Sequence, residues 1–337
     1  MYSVTDPKTG RGIRTYFIDK QIHISADVAL ALKSYLKRYQ DDAKDILSNG
    51  GLEMLKEICL FYASYAKKEE DGYYHLNDVI GPDEYHERID DNAFTSYQVR
   101  ETLGFFFECL EIDGVKKDEE IDSVIPQIKE FSEHLYIPPV NKEGIIEQFR
   151  GYFNLEDCTI EDVRARLKDK NQYWGGKEGP ATSTRIIKQA DVVALLALYP
   201  DLFPLDIQEK NYEFYKHYTE HGSSLSNSMH SLLAFRIGRE EEGYDFMEKS
   251  ALTDISGHNK EYAGGIYIGG SHMAAAGGAY LSMLYGMLGY DGKEIHPHLT
   301  KSIKGIEIFL PVSKYYLRHY IIRGKRIIKK ERRKIYD

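Results

Sequence analysis

The sequence predicts a mainly α-helical protein that ends in a small β segment. Two observations carry this. Apolar residues recur at helical spacing from the stretch ADVALALKSYLKRY to about residue 287, in runs joined by loops of Gly, Pro and Asn. The β-like runs GIEIFLPV and YYLRHYIIRG appear only after HPHLT. Helices followed by strands suggest a helical domain and then a small β piece. No sequence repeat and no low-complexity linker divides the chain.

Taken in order, Ser25 is a good N-cap for the first helix, whose Val28, Leu30, Leu32 and Leu36 suggest burial. Leu52, Leu55, Ile58, Cys59, Tyr62 and Tyr65 mark a second helical face. YYHLNDVI alternates weakly and stops at Gly81-Pro82, which reads as extended backbone. Asn92 is placed to cap a long helix through FTSYQVRETLGFFFECLEI. Helical patterns follow near 118–133, 143–153, 160–169, 184–199, 205–219, 226–237, 239–252 and 272–287. The basic tail RGKRIIKKERRKIYD reads as an exposed edge strand or solvated end, where Lys blunts pairing.

A net charge of −9 argues against non-specific binding to nucleic acid, which needs clustered Lys and Arg. Hydrophobic content of 42% with 29% charged residues is that of a soluble globular chain, and no apolar run is long enough to span a bilayer. Cys59, Cys109 and Cys158 lie too far apart for a metal cluster and suggest reduced thiols in the cytoplasm. The 27 tyrosines suit carbohydrate, whose C–H faces stack on rings, although most of them are ordinary core and surface residues.

Four stretches concentrate chemistry. In DVIGPDEYHERIDDNAFTS, the residues Asp83, Glu84, His86 and Glu87 surround Tyr85 behind a Gly-Pro break. Three readings stand: a carboxyl with a raised pKa acting as a proton donor, acidic capping of the next helix, and a metal site from Asp83, His86 and Glu87. In QYWGGKEGPATSTRIIKQADVVALL, Lys188, Gln189 and Asp191 open a very apolar helix, where Lys and Gln suit binding of sugar hydroxyls. In HGSSLSNSMHS, His221, Ser223, Ser224 and Ser226 precede a helix, which fits an anion site as well as Ser capping. In GSHMAAAGGAY, the small residues allow close packing, and His272 stands among them.

In this order, the stretches QIHISADVALAL, DVIGPDEYHERIDDNAFTS, IIKQADVVALL, HGSSLSNSMHS and GSHMAAAGGAY resemble glycoside hydrolase family 65. That group holds maltose, kojibiose, nigerose and trehalose phosphorylases with some hydrolases, and the likeness covers most of residues 12–290. The resemblance implies an (α/α)6 barrel over residues 1–290, lacking the early barrel helices, and a partial C-terminal β domain over 291–337. It implies that Glu84 is the general acid, that Lys188 and Gln189 hold the donor sugar, and that Ser223, Ser224 and His272 hold phosphate. TGRGIRTYFIDKQ then corresponds to the loop that selects the acceptor sugar. The implied reaction is inverting phosphorolysis of an α-glucosyl disaccharide to β-glucose 1-phosphate and a free sugar. Inorganic phosphate is the co-substrate and no cofactor is implied.

The sequence departs from the family where the β-sandwich, the linker helices and a Trp-plus-acid segment would precede residue 1. Ala275 also stands where many relatives carry a small hydroxyl residue. The expected partners are therefore the disaccharide, phosphate, and a separately encoded N-terminal portion or a second copy. A hydrolase of the same group and an inactive sugar-binding remnant are the alternatives.

Overall fold

The computed structural model describes residues 3–5, 9–115, 117–169, 172–255, 261–262, 266–267, 271–292, 294–300, 303, 305–312, 315–322 and 325–332. Its helices are α1 (Phe17–Lys20), α2 (His23–Arg38), α3 (Ala43–Ile46), α4 (Leu52–Tyr65), α5 (Ala93–Leu110), α6 (Glu119–His134), α7 (Ile160–Ala165), α8 (Val192–Leu198), α9 (Leu205–Lys216), α10 (Ser226–Arg236), α11 (Glu240–Ala251) and α12 (Met273–Leu281). α12 continues as a wider π-turn over Ser282–Met287. Among the described residues no helix is long and apolar enough to cross a membrane.

The helices form two rows. α2, α5, α8, α10 and α12 lie side by side in that order, while α4, α6, α9 and α11 back them. Side-chain pairs fix the direction of the first row. Gln98 of α5 meets Asp27 of α2, and Glu108 one helical stretch later meets Lys33. Ser282 Oγ of the α12 extension donates to Ser228 O of α10, and Gly286 packs on Phe235 further along both. Neighbours thus run in the same sense, and their N-termini gather at one end of the array.

Burial follows from sequence. α8 is apolar on every side and buries Val192–Ala197, as expected of a helix in a core. It sits in a cluster with Phe94, Ile146, Tyr152, Tyr212, Tyr215 and Leu233. A second cluster joins Leu55, Cys59 and Tyr62 of α4 to Val99, Leu103, Phe106 and Cys109 of α5 and Phe131 of α6. Burial pushes the Cys59 and Cys109 thiols up to about 12, so both behave as apolar residues.

Several expected boundaries move. Asn92 caps α5 as read, its side chain accepting from Thr95 N at 2.9 Å. Ser25 is not a cap, because α2 already begins at His23. The buried Tyr62 hydroxyl does that work instead: it donates to Ile22 O at 2.7 Å and accepts from Ala26 N at 3.1 Å. The stretch 143–151 is turn rather than helix, with only a short 3-10 turn at Tyr152–Asn154, because Asn211 takes its backbone groups: Ile146 N donates to Asn211 Oδ1, and Asn211 Nδ2 donates to Gly144 O. The helix expected from 184 starts only at Val192, since Ile187 pairs its backbone with Tyr218 and Glu220. α7 ends at Ala165, four residues before the expected limit of 169.

Short antiparallel pairs join β1 (Ser3–Thr5) to β2 (Gly12–Arg14), β3 (Lys67–Lys68) to β4 (Tyr74–His75), and β5 (Glu261–Tyr262) to β6 (Ile266–Tyr267). The C-terminal β piece is a meander of β7 (Gly305–Val312), β8 (Tyr315–Ile322) and β9 (Lys325–Arg332), with the basic β9 at its edge.

Candidate active site

The acidic motif is a pinched loop. Val79 and Ile89 exchange backbone hydrogen bonds at 2.8 and 2.9 Å, closing the chain between them. Asp78 and Arg88 flank the loop with φ of 59° and 60°, and the Arg88 Nε–Asp78 Oδ1 contact of 2.7 Å holds these two left-handed residues together. Inside the loop Asp83, Tyr85 and His86 are buried, whereas Glu84 and Glu87 are partly exposed.

A buried polar frame fixes that alternation. Asp83 accepts from Tyr85 N at 3.1 Å, Lys188 N at 2.8 Å and Gln148 Nε2 at 3.2 Å, and pairs with His86 Nδ1 at 2.6 Å. His86 Nε2 is engaged by Thr184 O at 2.8 Å. Asp191, at the start of α8, accepts from Asp83 N at 3.2 Å and from Asn92 Nδ2 at 3.1 Å. Loop, α5 and α8 are thereby tied at one end of the array. Burial, with the neighbouring Asp83 charge, pushes the Asp191 carboxyl up to about 8.

Aromatic packing completes the support. The Tyr85 ring stacks on Trp174 at 6.0 Å and meets Tyr173 edge-on at 5.8 Å. A Cβ at Gly175 would stand 2.5 Å from Tyr85 Cα, so only glycine lets the two backbones touch. Trp174, 4% exposed, is thus a wall behind the loop rather than an open sugar platform.

On this frame Glu84 meets Lys188. Lys188 Nζ lies 2.5 Å from Glu84 Oε2, with the two side chains 16% and 22% exposed. Gln21 Nε2 donates to Glu84 Oε1 at 3.3 Å, and Tyr173 Oη donates to Glu84 O at 2.6 Å. Gln189 is turned inward, its Nε2 donating to Pro82 O. The structure therefore joins Glu84, Lys188 and Gln189 around one loop.

The Ser loop hangs on the same segment. Gly222 N donates to Lys188 O at 2.9 Å, and Ala190 N donates to Ser226 Oγ at 3.2 Å. Ser223 and Ser224 are half-buried before α10, whose N-terminus has no side-chain cap. His221 anchors the loop through Nδ1 and Ser226 Oγ at 2.8 Å, with a left-handed φ of 60°. Its ring and that of His230 lie 4.6 Å apart, both against Phe246. Burial keeps both imidazoles neutral, His221 well below the usual range and His230 at about 4. His272 stands at the N-terminus of α12, where its Nδ1 contacts Asp254 Oδ1 at 2.6 Å and its N–H donates to Asp254 Oδ2 at 2.5 Å. α12 packs on α10 at Gly278, where a Cβ would meet Ser228 Oγ at 2.3 Å. His272 is thus on the neighbouring helix, held by Asp254.

The metal reading of Asp83, His86 and Glu87 fails, because both His86 nitrogens are already hydrogen-bonded within the frame. A surface trio of Glu53, Glu57 and Glu120 is likewise occupied, gathered around the Lys56 ammonium at 2.9, 3.3 and 2.6 Å.

Four neighbours carried no role of their own in the sequence. Gln21, which ends the TGRGIRTYFIDKQ stretch, and Tyr173, in the QYWGG stretch, touch Glu84, and Asp254 holds His272. Glu220 accepts from Tyr85 Oη at 3.0 Å, and burial raises its carboxyl pKa. Glu220 adjoins the His-Gly-Ser-Ser stretch; Asp254 alone is brought in by folding without such a signal.

The glycosyl hydrolase family 65 central catalytic domain matches residues 5–280. The chain is 43% identical over 301 residues to a nigerose phosphorylase of Lachnoclostridium phytofermentans, covering 86% of this chain and 40% of that protein. It is 40% identical over 302 residues to a 1,2-alpha-glucosylglycerol phosphorylase of Bacillus selenitireducens, covering 86% and 39%. A solved structure provisionally assigned as a kojibiose phosphorylase from the human microbiome superposes with a TM-score of 0.78 at 23% identity, over 93% of this chain and 45% of that one. The chain thus spans about two fifths of the length of these curated relatives.

Proposed function

The chain belongs to glycosyl hydrolase family 65, and from that premise we propose that it is the catalytic part of an inverting glycoside phosphorylase acting on an α-glucosyl disaccharide. Glu84 protonates the oxygen between the two sugars as the anomeric C–O bond breaks. Phosphate, held by Ser223, Ser224 and His272, attacks the anomeric carbon from the opposite face. The products are β-glucose 1-phosphate and a free sugar, and every proton and electron pair is accounted for without a cofactor. Phosphate is itself the nucleophile, so a second carboxylate to activate water, as an inverting hydrolase needs, has no part here.

The observation that carries this reading is the placement of Glu84 between Lys188 and Gln21, with the Ser loop hung on the Lys188 carbonyl. Donor hydroxyls take over Lys188 when sugar binds, which frees Glu84 Oε2 to hold the proton it delivers. The uncapped N-terminus of α10 supplies N–H groups and a positive dipole end for phosphate.

The helical rows support an arc of an (α/α)6 barrel over residues 1–290, with 291–337 as a β appendage. Arg38 at the end of α2 reaches the ring of Tyr290, in the segment after the π-turn, 5.6 Å to its centroid. Catalysis by the whole toroid then calls for the chain to work with an N-terminal portion or a second copy. Buried free thiols suit a reducing cytoplasm.

The test is an assay of the chain, alone and together with an N-terminal portion, on nigerose, kojibiose, maltose and trehalose, with and without phosphate. Phosphate-dependent release of β-glucose 1-phosphate is expected from at least one of them. Glu84→Gln is expected to lower turnover by roughly 10²–10⁴-fold, with melting unchanged because Glu84 lies at the surface of its frame. Glucose release at the same rate without phosphate, or an active Glu84→Gln variant, would sink the reading.

A further inference from the structure

Glu87 lies three residues after Glu84, and the reaction proposed above gives it no task. Its side chain is half-buried, and its Oε1 is shielded from water without a hydrogen-bond partner. A polar atom left so in a well-ordered site calls for an explanation, and a ligand is one. Three segments surround it. Its own loop brings Glu84. The segment before α1 brings the backbone N–H of Tyr16, whose ring carries the Arg14 and Arg88 guanidiniums. The 173–176 turn brings Tyr173 and Gly176, and a Cβ on Gly176 would lie 3.6 Å from Oε1.

Glu84 divides the site. A carboxyl that protonates an oxygen joining two sugars has one sugar on each flank. Lys188 holds its Oε2 from one side. Gln21 holds Oε1, and Tyr16, on the same segment as Gln21, gives its backbone N–H to Glu87, so one segment links the Oε1 side of Glu84 to Glu87. We propose that Glu87 binds a hydroxyl of the sugar that departs, and so helps set which acceptor the site takes. This rests on the reading of Glu84 as proton donor.

The chemistry of Glu87 suits a hydroxyl. Burial first, and the Glu84 charge after it, lift its carboxyl to about 7 against the opposing Tyr16 N–H. Below that pH the neutral acid can donate its O–H to a sugar oxygen, and above it the carboxylate accepts from a sugar hydroxyl, so Glu87 can hold a hydroxyl on either side of its titration.

The test runs the reaction in synthesis, with β-glucose 1-phosphate as donor and D-glucose as acceptor, at about pH 6 and about pH 8.5. Glu87→Ala is expected to raise the acceptor KM by roughly fivefold to tenfold at the lower pH, the worth of one hydrogen bond, while the KM for β-glucose 1-phosphate stays within about twofold. The acceptor KM of Glu87→Gln, whose amide both donates and accepts, is expected to lie between those of the wild type and Glu87→Ala. A merely structural Glu87 would shift both KM values together and would overturn the proposal. If the wild type makes no disaccharide, either alone or with an N-terminal portion, the phosphorylase reading has failed, and calorimetric binding of D-glucose to the three proteins decides the role of Glu87. Wild type and Glu87→Ala binding alike, or no saturable binding by the wild type, then refutes it.

Discussion

At the scale of single residues, two buried acidic residues sit in one frame. Asp83 and Asp191 are both fully buried. Asp83 gathers three N–H donors and the His86 ring. Asp191 has fewer partners, and burial with the neighbouring Asp83 pushes its pKa to about 8, which leaves it neutral at neutral pH. Asp191→Asn copies the neutral form in shape, so it is expected to fold and to keep most activity. Asp83→Asn strips an acceptor from several donors and is expected to cost about 2–4 kcal/mol. Urea unfolding at neutral pH checks both, and equal damage would show that Asp191 carries charge. The sign of the pH effect also follows. A carboxyl whose folded pKa lies above its unfolded value, about 3.9, gives stability that is full below that value and is lost as pH climbs through about 8. Asp191→Asn should flatten that decline.

At the scale of elements, close approach separates glycines that are required from those that are not. Phe235 of α10 is wedged between Gly243 of α11 and Gly286 of the π-turn, where added Cβ atoms would stand 2.8 and 2.9 Å from its ring. Gly243→Ala or Gly286→Ala is expected to destabilise by about 1–3 kcal/mol. Gly104 of α5 faces open space, and Gly104→Ala should stabilise by roughly 0.5–1 kcal/mol. Thermal melts decide, and a stabilising Gly286→Ala would refute the packing. Helices were legible wherever one face repeats, as in α4, α6 and α11, and in α5 the Asn92 cap fixed the start. The lines 143–151 and 184–191 look helical yet are not. Their backbone groups are claimed by Asn211 and by the 218–220 segment, partners far along the chain that no local window contains. The site was legible to the same extent. Glu84 and Lys188 stand in motifs, and Gln21 and Tyr173 lie in stretches already singled out, whereas their contacts with Glu84, and that of Asp254 with His272, come only with tertiary folding.

At the scale of the molecule, the row of helices has two ends, and both carry apolar side chains in water. On α2, Ile24, Val28 and Tyr35 are 55%, 47% and 43% exposed, at spacings that put them on one face. On α12, Met273 and Tyr280 are 81% and 53% exposed and seven residues apart. Helices inside the row have neighbours on both flanks, and these two do not present that burial. Faces of this kind mark surfaces that associate. The chain by itself is therefore expected to pair through them, giving a light-scattering mass above its own 38.8 kDa at about 50 μM. Val28→Glu with Tyr280→Glu places charge on both faces without disturbing buried atoms. It should return the chain to a monomer with an unchanged circular dichroism spectrum. A wild-type chain that already runs as a monomer at that concentration would show that these faces are content in water, and the reading of the row as an open arc awaiting a partner would lose its physical support.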